Sequence, residues 1–187
     1  MVLEYSQYGN VSTVIENMSI CSRTKVKFCL DIANGMKYLH DNNIIHRGLR
    51  PSSILVMNLC NDSESCIKLG DLRSSQNVLE KEVTETPLPN LYAYYAPESL
   101  ENGIFTMKSD VYSFSMIMWH IFAEETPFDA FDPSHITLLL MKDSRLNPEN
   151  MEEVPKVKKL MKKCWSRNPN QRHFFHPLIL NNCLFQT

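Results

Sequence analysis

The run Ile44-Ile45-His46-Arg47-Gly48-Leu49-Arg50-Pro51-Ser52-Ser53-Ile54-Leu55 places a histidine, two arginines and two serine hydroxyls between apolar flanks. Arg47 can pair with a phosphate carried on Ser74, Ser75, Thr84, Thr86 or Tyr92. Arg50 brings a planar, permanently charged fork. Ser53 offers one neutral hydroxyl, a weak ligand for a hard cation. Gly48 has no side chain and cannot accept a proton. The next acids are Asp62 and Glu64, in a polar stretch, and then Asp71. Other chemistries find little support. The six cysteines (Cys21, Cys29, Cys60, Cys66, Cys164, Cys183) include no C-x-x-C pair and no Cys/His cluster with zinc spacing. The five glycines form no G-x-G-x-x-G loop to cradle phosphates.

Further segments follow in a fixed order: Lys68-Leu69-Gly70-Asp71-Leu72-Arg73, Tyr95-Ala96-Pro97-Glu98, Ser109-Asp110-Val111-Tyr112-Ser113-Phe114-Ser115, and Cys164-Trp165 through Pro169 to Arg172. Together with the 44–55 run they resemble the large lobe of a protein kinase, of the tyrosine-kinase-like serine/threonine branch. That pattern has His-Arg-Asp, an Asn five residues after the Asp, then Asp-Phe-Gly and Ala-Pro-Glu. The Asp takes the proton of the substrate hydroxyl, and the Asn and the second Asp hold magnesium. The resemblance implies that Gly48 stands at the base position and Arg50 at the lysine position, so no catalytic residue is intact. Asp71 is left as the metal carboxylate, with Ser53 a weak second ligand. His46, Arg47, Glu98, Asp110 and Arg172 take structural roles. His46 packs under the loop, Asp110 accepts hydrogen bonds from its backbone, and Glu98 pairs with Arg172. Leu72, at the Phe position, is expected in core packing. Arg73, at the Gly position, removes the freedom of a hinge glycine.

At 187 residues the chain is one domain's worth. The resemblance assigns residues 1–10 to the end of the small lobe and the hinge, and residues 11–183 to the large lobe. Glu4, Ser6 and Leu55 become the candidate adenine contacts. The Gly-rich loop, strand lysine and helix glutamate of a small lobe have no counterpart here, so the chain is read either as a fragment or as a large lobe alone. ATP and magnesium are expected only if a small lobe is supplied. Net charge is −2, with 43% hydrophobic and 21% charged residues, which gives no footprint for nucleic acid or anionic membrane. No apolar run is long enough to span a bilayer, and no signal peptide is evident. Cys60 and Cys66 flank a polar loop and could pair, but free thiols in the cytoplasm are the expectation.

The elements that must position these residues are mainly helical. Asn10 caps a short helix over 11–17. Val26, Leu30, Ala33, Met36 and Leu39 recur at helical spacing, which predicts a helix over 23–40 with Lys25, Lys27, Asp31 and Lys37 off the apolar stripe. Ile44 and Ile45 form a short strand before the loop, and residues 54–57 pair with 67–69 in a hairpin. Residues 72–95 lack periodicity and read as an activation segment. Residues 110–123 are apolar on every face, which predicts a buried central helix. Further helices are expected near 133–141 and from Pro155, where Val157, Leu160, Met161 and Cys164 form a stripe. Lys156, Lys158, Lys159, Lys162 and Lys163 occupy its other faces, read as solvated.

The expected function is therefore a kinase-like domain without effective catalysis, acting through protein–protein contact, with another kinase among the expected partners. The alternative is an ATP-dependent serine/threonine protein kinase of unorthodox geometry. A third reading is a decaying reading frame with no folded product.

Overall fold

A computed structural model describes residues 4–60, 63–77, 82–148, 155–173 and 175. Helix α1 (Val11–Asn17) starts where the Asn10 side chain accepts from the Thr13 amide at 3.0 Å. Helix α2 (Ser22–Asp41) carries the apolar stripe, and Val26, Leu30, Ala33, Met36 and Leu39 are all buried. Phe28, Cys29 and Ile32 are buried as well, so the covered face is wider than one stripe. Lys25 and Asp31, off that stripe, are buried too. Each has a partner. Lys25 Nζ lies 2.7 Å from Glu124, and Asp31 accepts from Lys27 Nζ and from the Cys66 amide, both at 2.7 Å. Burial of a charge is tolerable when it is paired and hydrogen-bonded in this way.

Strand β1 (Ile44–Ile45) precedes the 46–53 loop, and β2 (Ile54–Val56) leaves it to pair antiparallel with β3 (Ile67–Leu69). The partner of β1 is β4 (Gln76–Asn77), which brings the segment after Asp71 back beneath the loop. Strand β5 (Glu82–Thr84) pairs with β6 (Ile104–Thr106), on the far side of the short helix α3 (Pro97–Asn102). Gly103 ends α3 in the left-handed region, φ 67°, and a Cβ there would sit 2.5 Å from the Glu85 carbonyl oxygen. Only glycine fits both constraints.

Helix α4 (Met107–Ala123) begins three residues before the apolar pattern. The Thr106 hydroxyl accepts from the Lys108 and Ser109 amides, while Ser109 Oγ accepts from the Thr106 amide, a reciprocal cap. Every residue from Ser109 to Ile121 is buried, as an all-round apolar helix requires. It ends at Glu124, in the left-handed region, before Pro127 is reached. Helices α2, α5 (Pro133–Met141) and α6 (Pro155–Cys164) surround the core, with α4 packed on α2 and α6. Cys60 and Cys66 are free thiols, the Cys66 Sγ donating to the Cys60 carbonyl at 3.2 Å. Cys183 and Met1 to Leu3 lie outside the described residues. No helix among the described residues is long and apolar enough to cross a membrane.

Candidate functional site

The 46–53 loop is suspended from α4. Asp110, 1% exposed, accepts from the His46 amide at 2.9 Å and the Arg47 amide at 3.0 Å, and lies 2.9 Å from His40 Nε2. A buried carboxylate with several donors replaces water with fixed partners. The His46 ring is fully buried beneath the loop. That burial holds its imidazole below the ordinary value, against the pull of the Asp110 carboxylate. Arg47 is left-handed, φ 63°, uncommon for a long side chain. Its conformation is fixed from three sides. The amide is held by Asp110, Nε donates to the Ser74 carbonyl at 2.5 Å, and Nη1 donates to the Glu85 carboxylate. Among the described residues the 72–86 segment is thus tied to the loop by an internal acid, at the arginine that could also pair with a phosphate.

Gly48 sits over Ser74. Its φ is not left-handed, and an added Cβ would lie 3.8 Å from the Ser74 Cβ, an ordinary contact. Neither backbone nor space demands glycine at 48. Arg50 Nη2 donates to Asp71 Oδ2 at 3.2 Å, and Arg73 Nε donates to Asp71 Oδ1 at 2.8 Å. Both carboxylate oxygens of Asp71 therefore face a guanidinium. The hydrogen bond from Arg73, and the charges of Arg73 and Arg50, hold the Asp71 carboxyl below the usual carboxylate range although partial burial opposes them. Asp71 is itself left-handed, φ 55° and ψ 46°, a conformation aspartate tolerates better than most residues.

Ser53, 2% exposed, donates from Oγ to the Arg50 carbonyl at 2.8 Å and accepts from the Arg50 amide at 3.0 Å. Its carbonyl accepts from the Gly70 amide at 2.8 Å. The residue closes a turn and joins the two arms of the site. Magnesium prefers an octahedral set of hard oxygens. The donors here fit that ion poorly: Asp71 is neutralised by two guanidinium groups, and the Ser53 hydroxyl is engaged with its own loop. No cluster of three or more metal-ligating side chains occurs among the described residues.

The candidate adenine contacts lie beside β2. Ser6 Oγ is within hydrogen-bonding distance of the Gly9 carbonyl (2.6 Å) and the Val56 carbonyl (2.7 Å), and Glu4 pairs with Lys68 at the surface. Leu55 is half-buried, bridged to Asn10 and packed beside Gly70. Leu72 overturns its expectation. It is 47% exposed rather than packed in the core. The short 3-10 turn from Leu72 to Ser74 carries its side chain outward, since Asp71 turns the chain in the left-handed region just before it.

A second polar centre closes the other end of the lobe. Arg172 is 1% exposed and grips Glu98 with two prongs, Nη1 to Oε1 at 2.6 Å and Nη2 to Oε2 at 2.8 Å. Its Nε donates to the Ser166 carbonyl at 2.7 Å, and its nitrogens also reach the Lys108 and Arg167 carbonyls. Tyr112 stacks on the guanidinium at 5.1 Å. Several contacts of these centres have no counterpart in the sequence reading, among them Arg73 with Asp71, and Glu85 with Arg47. The first had a signal, a cation two residues from the acid. The second, across 38 residues, had none.

A helical lobe hung on one buried helix, with a loop suspended from it and a clamped segment, is the large-lobe architecture of a protein kinase. The pattern of the protein tyrosine and serine/threonine kinase family matches residues 1–181, and the chain belongs to that family. It is 34% identical over 196 aligned positions to receptor-interacting serine/threonine-protein kinase 1 of Homo sapiens, covering 94% of this chain and 28% of that protein. It is 30% identical over 183 positions to serine/threonine/tyrosine-protein kinase HT1 of Arabidopsis thaliana, covering 96% and 45%. It is 33% identical over 180 positions to probable serine/threonine-protein kinase gdt2 of Dictyostelium discoideum, covering 94% and 11%. The chain thus spans less than half the length of each of these relatives.

Proposed function

We propose that this chain is a kinase-like large lobe that works by protein–protein contact and has no effective phosphoryl transfer. The observation that carries the reading is the salt bridge of Arg50 and Arg73 to Asp71, in a loop whose residue 48 has no side chain. Phosphoryl transfer needs a positioned acceptor hydroxyl and metal ions on the phosphates. Loss of a positioned base costs about a hundred- to ten-thousand-fold. Here the metal carboxylate also has two internal counter-charges that a magnesium ion must displace. The partner is a protein, with another kinase the first candidate, and the setting is the cytoplasm. Nucleotide, if a small lobe is supplied, binds with little help from magnesium.

The relatives' names favour a second reading, an ATP-dependent serine/threonine kinase of which this is a part. Thermal-shift titration with ATP, with and without magnesium, separates the two in the natural polypeptide that carries this chain. The inactive reading expects the same small shift, or none, under both conditions. A shift that requires magnesium and is lost in Asp71→Ala would favour the active one.

A further inference from the structure

Helix α6 is the most unevenly charged element of the fold. Its ten residues include five lysines (Lys156, Lys158, Lys159, Lys162, Lys163) and no acid, in a chain with 19 cations and 21 acids. One face, Val157, Leu160, Met161 and Cys164, is buried. Solvation alone explains Lys156 and Lys159, which are exposed. Lys162 and Lys163 differ because of what faces them. At the helix's C-terminal end they join Arg145 and Arg167 in lining an open recess of about 780 Å³, with Asp143 and Asn168 on its wall.

The two arginines are fixed in place. Arg145 donates from Nη1 to the Ser144 carbonyl at 3.0 Å and from Nε to the Trp165 carbonyl at 3.3 Å. Its Nη2 lies 2.5 Å from Asp143 Oδ1 but without hydrogen-bonding geometry, so one buried N–H lacks an acceptor. Arg167 donates from Nη2 to Glu101 at 3.1 Å and from Nη1 to the Met141 carbonyl. Lys162 and Lys163 have no acidic partner among the described residues. Four cations therefore line one recess; Arg145 and Arg167 face Asp143 and Glu101, and Lys162 and Lys163 are left uncompensated. Like charges so placed repel one another, and an anionic occupant relieves the repulsion.

We infer that this recess docks a short acidic segment, rich in aspartate or glutamate, of a partner protein. Its volume falls within the range of about 300–1,000 Å³ typical of ligand sites, enough for a few residues. A polynucleotide needs a continuous basic track, whereas Asp143 and Glu101 stand beside the two arginines and interrupt one here. A flat anionic membrane cannot enter a concavity. The recess shares no residue with the 46–73 site, so the inference stands whether or not that site transfers phosphate.

Fluorescence anisotropy of a fluorescein-labelled oligoglutamate peptide against the full chain tests it. Saturable binding is expected, weakening as salt is raised. The double variant Lys162→Glu/Lys163→Glu should bind about tenfold or more weakly. Lys156→Glu/Lys158→Glu carries the same charge change outside the recess and should stay within about twofold. All these positions are exposed or half-exposed, and circular dichroism checks that both variants fold. The inference is overturned by an absence of peptide binding or by equal loss in the two variants. It is equally overturned if only a phosphorylated peptide binds, or if single-stranded RNA or phosphatidylserine vesicles bind in the peptide's place.

Discussion

The two polar centres of the lobe treat their charges in opposite ways. Glu98 and Arg172 meet across 74 residues, and the arginine also reaches the Lys108 carbonyl, so the pair joins α3, α4 and the segment after α6. At residues 46–73 the charges gather on one acid: Arg50, from the loop, and Arg73, at the surface, both on Asp71, while Ser53 closes the turn on Arg50. The first arrangement fixes the fold. The second pairs both carboxylate oxygens of Asp71 with arginines. The two sets of contacts share no residue. Asp110 and Glu85 are the loop's long-range ties, the first carrying it from the core and the second holding Arg47.

The largest expected effect lies in the first centre. Arg172→Ala strands a carboxylate and several carbonyls, and should cost about 3–5 kcal/mol in a denaturant titration. Glu98→Ala should approach the same loss, and a double-mutant cycle should show strong coupling between the two. Additive losses would mean that the pair does not act as a unit.

Asp110→Ala comes next. It removes the acceptor for two loop amides, each worth about 1–3 kcal/mol when left unsatisfied in a buried site. Hydrogen exchange should quicken at the His46 and Arg47 amides beyond the global change. Uniform acceleration through the protein would deny the suspension of the loop from α4.

A smaller effect is expected from pH. Burial lowers the His120 imidazole below its ordinary value, so the folded state binds fewer protons than the unfolded chain. Stability from this group is complete above the unfolded value, about 6.5, and is lost as pH falls from there toward the lowered folded one. His120→Phe should flatten the decline of stability on the acid side of neutrality. An unchanged slope would assign the decline to other groups.

The smallest effect on stability belongs to the reactive loop itself. Arg73 is 89% exposed on its side chain, so Arg73→Gly should shift stability by less than about 0.5 kcal/mol. It should raise the Asp71 carboxyl toward its ordinary value, measurable by NMR titration, since the Arg73 hydrogen bond is the leading cause of its depression. An unmoved Asp71 would leave Arg50 as its sole effective partner.

Much of this was legible in the sequence, for identifiable reasons. Asn10, the stripe on α2 and the all-apolar α4 specify their helices through local capping and periodicity. Gly48, Ser53 and Asp71 could be picked out because their order follows a family pattern. The burial of Lys25 and Asp31 was not legible because a charged residue's burial depends on a partner elsewhere, Glu124 and Cys66 here. Leu72 was misplaced because one left-handed residue before it redirects the side chain. Glu85 was invisible because a contact between arginine and acid 38 residues apart leaves no periodic trace.

Radiolabelled phosphate incorporation from magnesium ATP into a general protein substrate, and into the protein itself, is the most direct test of the central claim. The natural polypeptide carrying this chain should be compared with its Asp71→Ala variant. Indistinguishable background signals are predicted for the two, because Asp71 already serves two arginines. Incorporation well above background that disappears in Asp71→Ala would show that Asp71 leaves its arginines to bind metal, and would contradict the account.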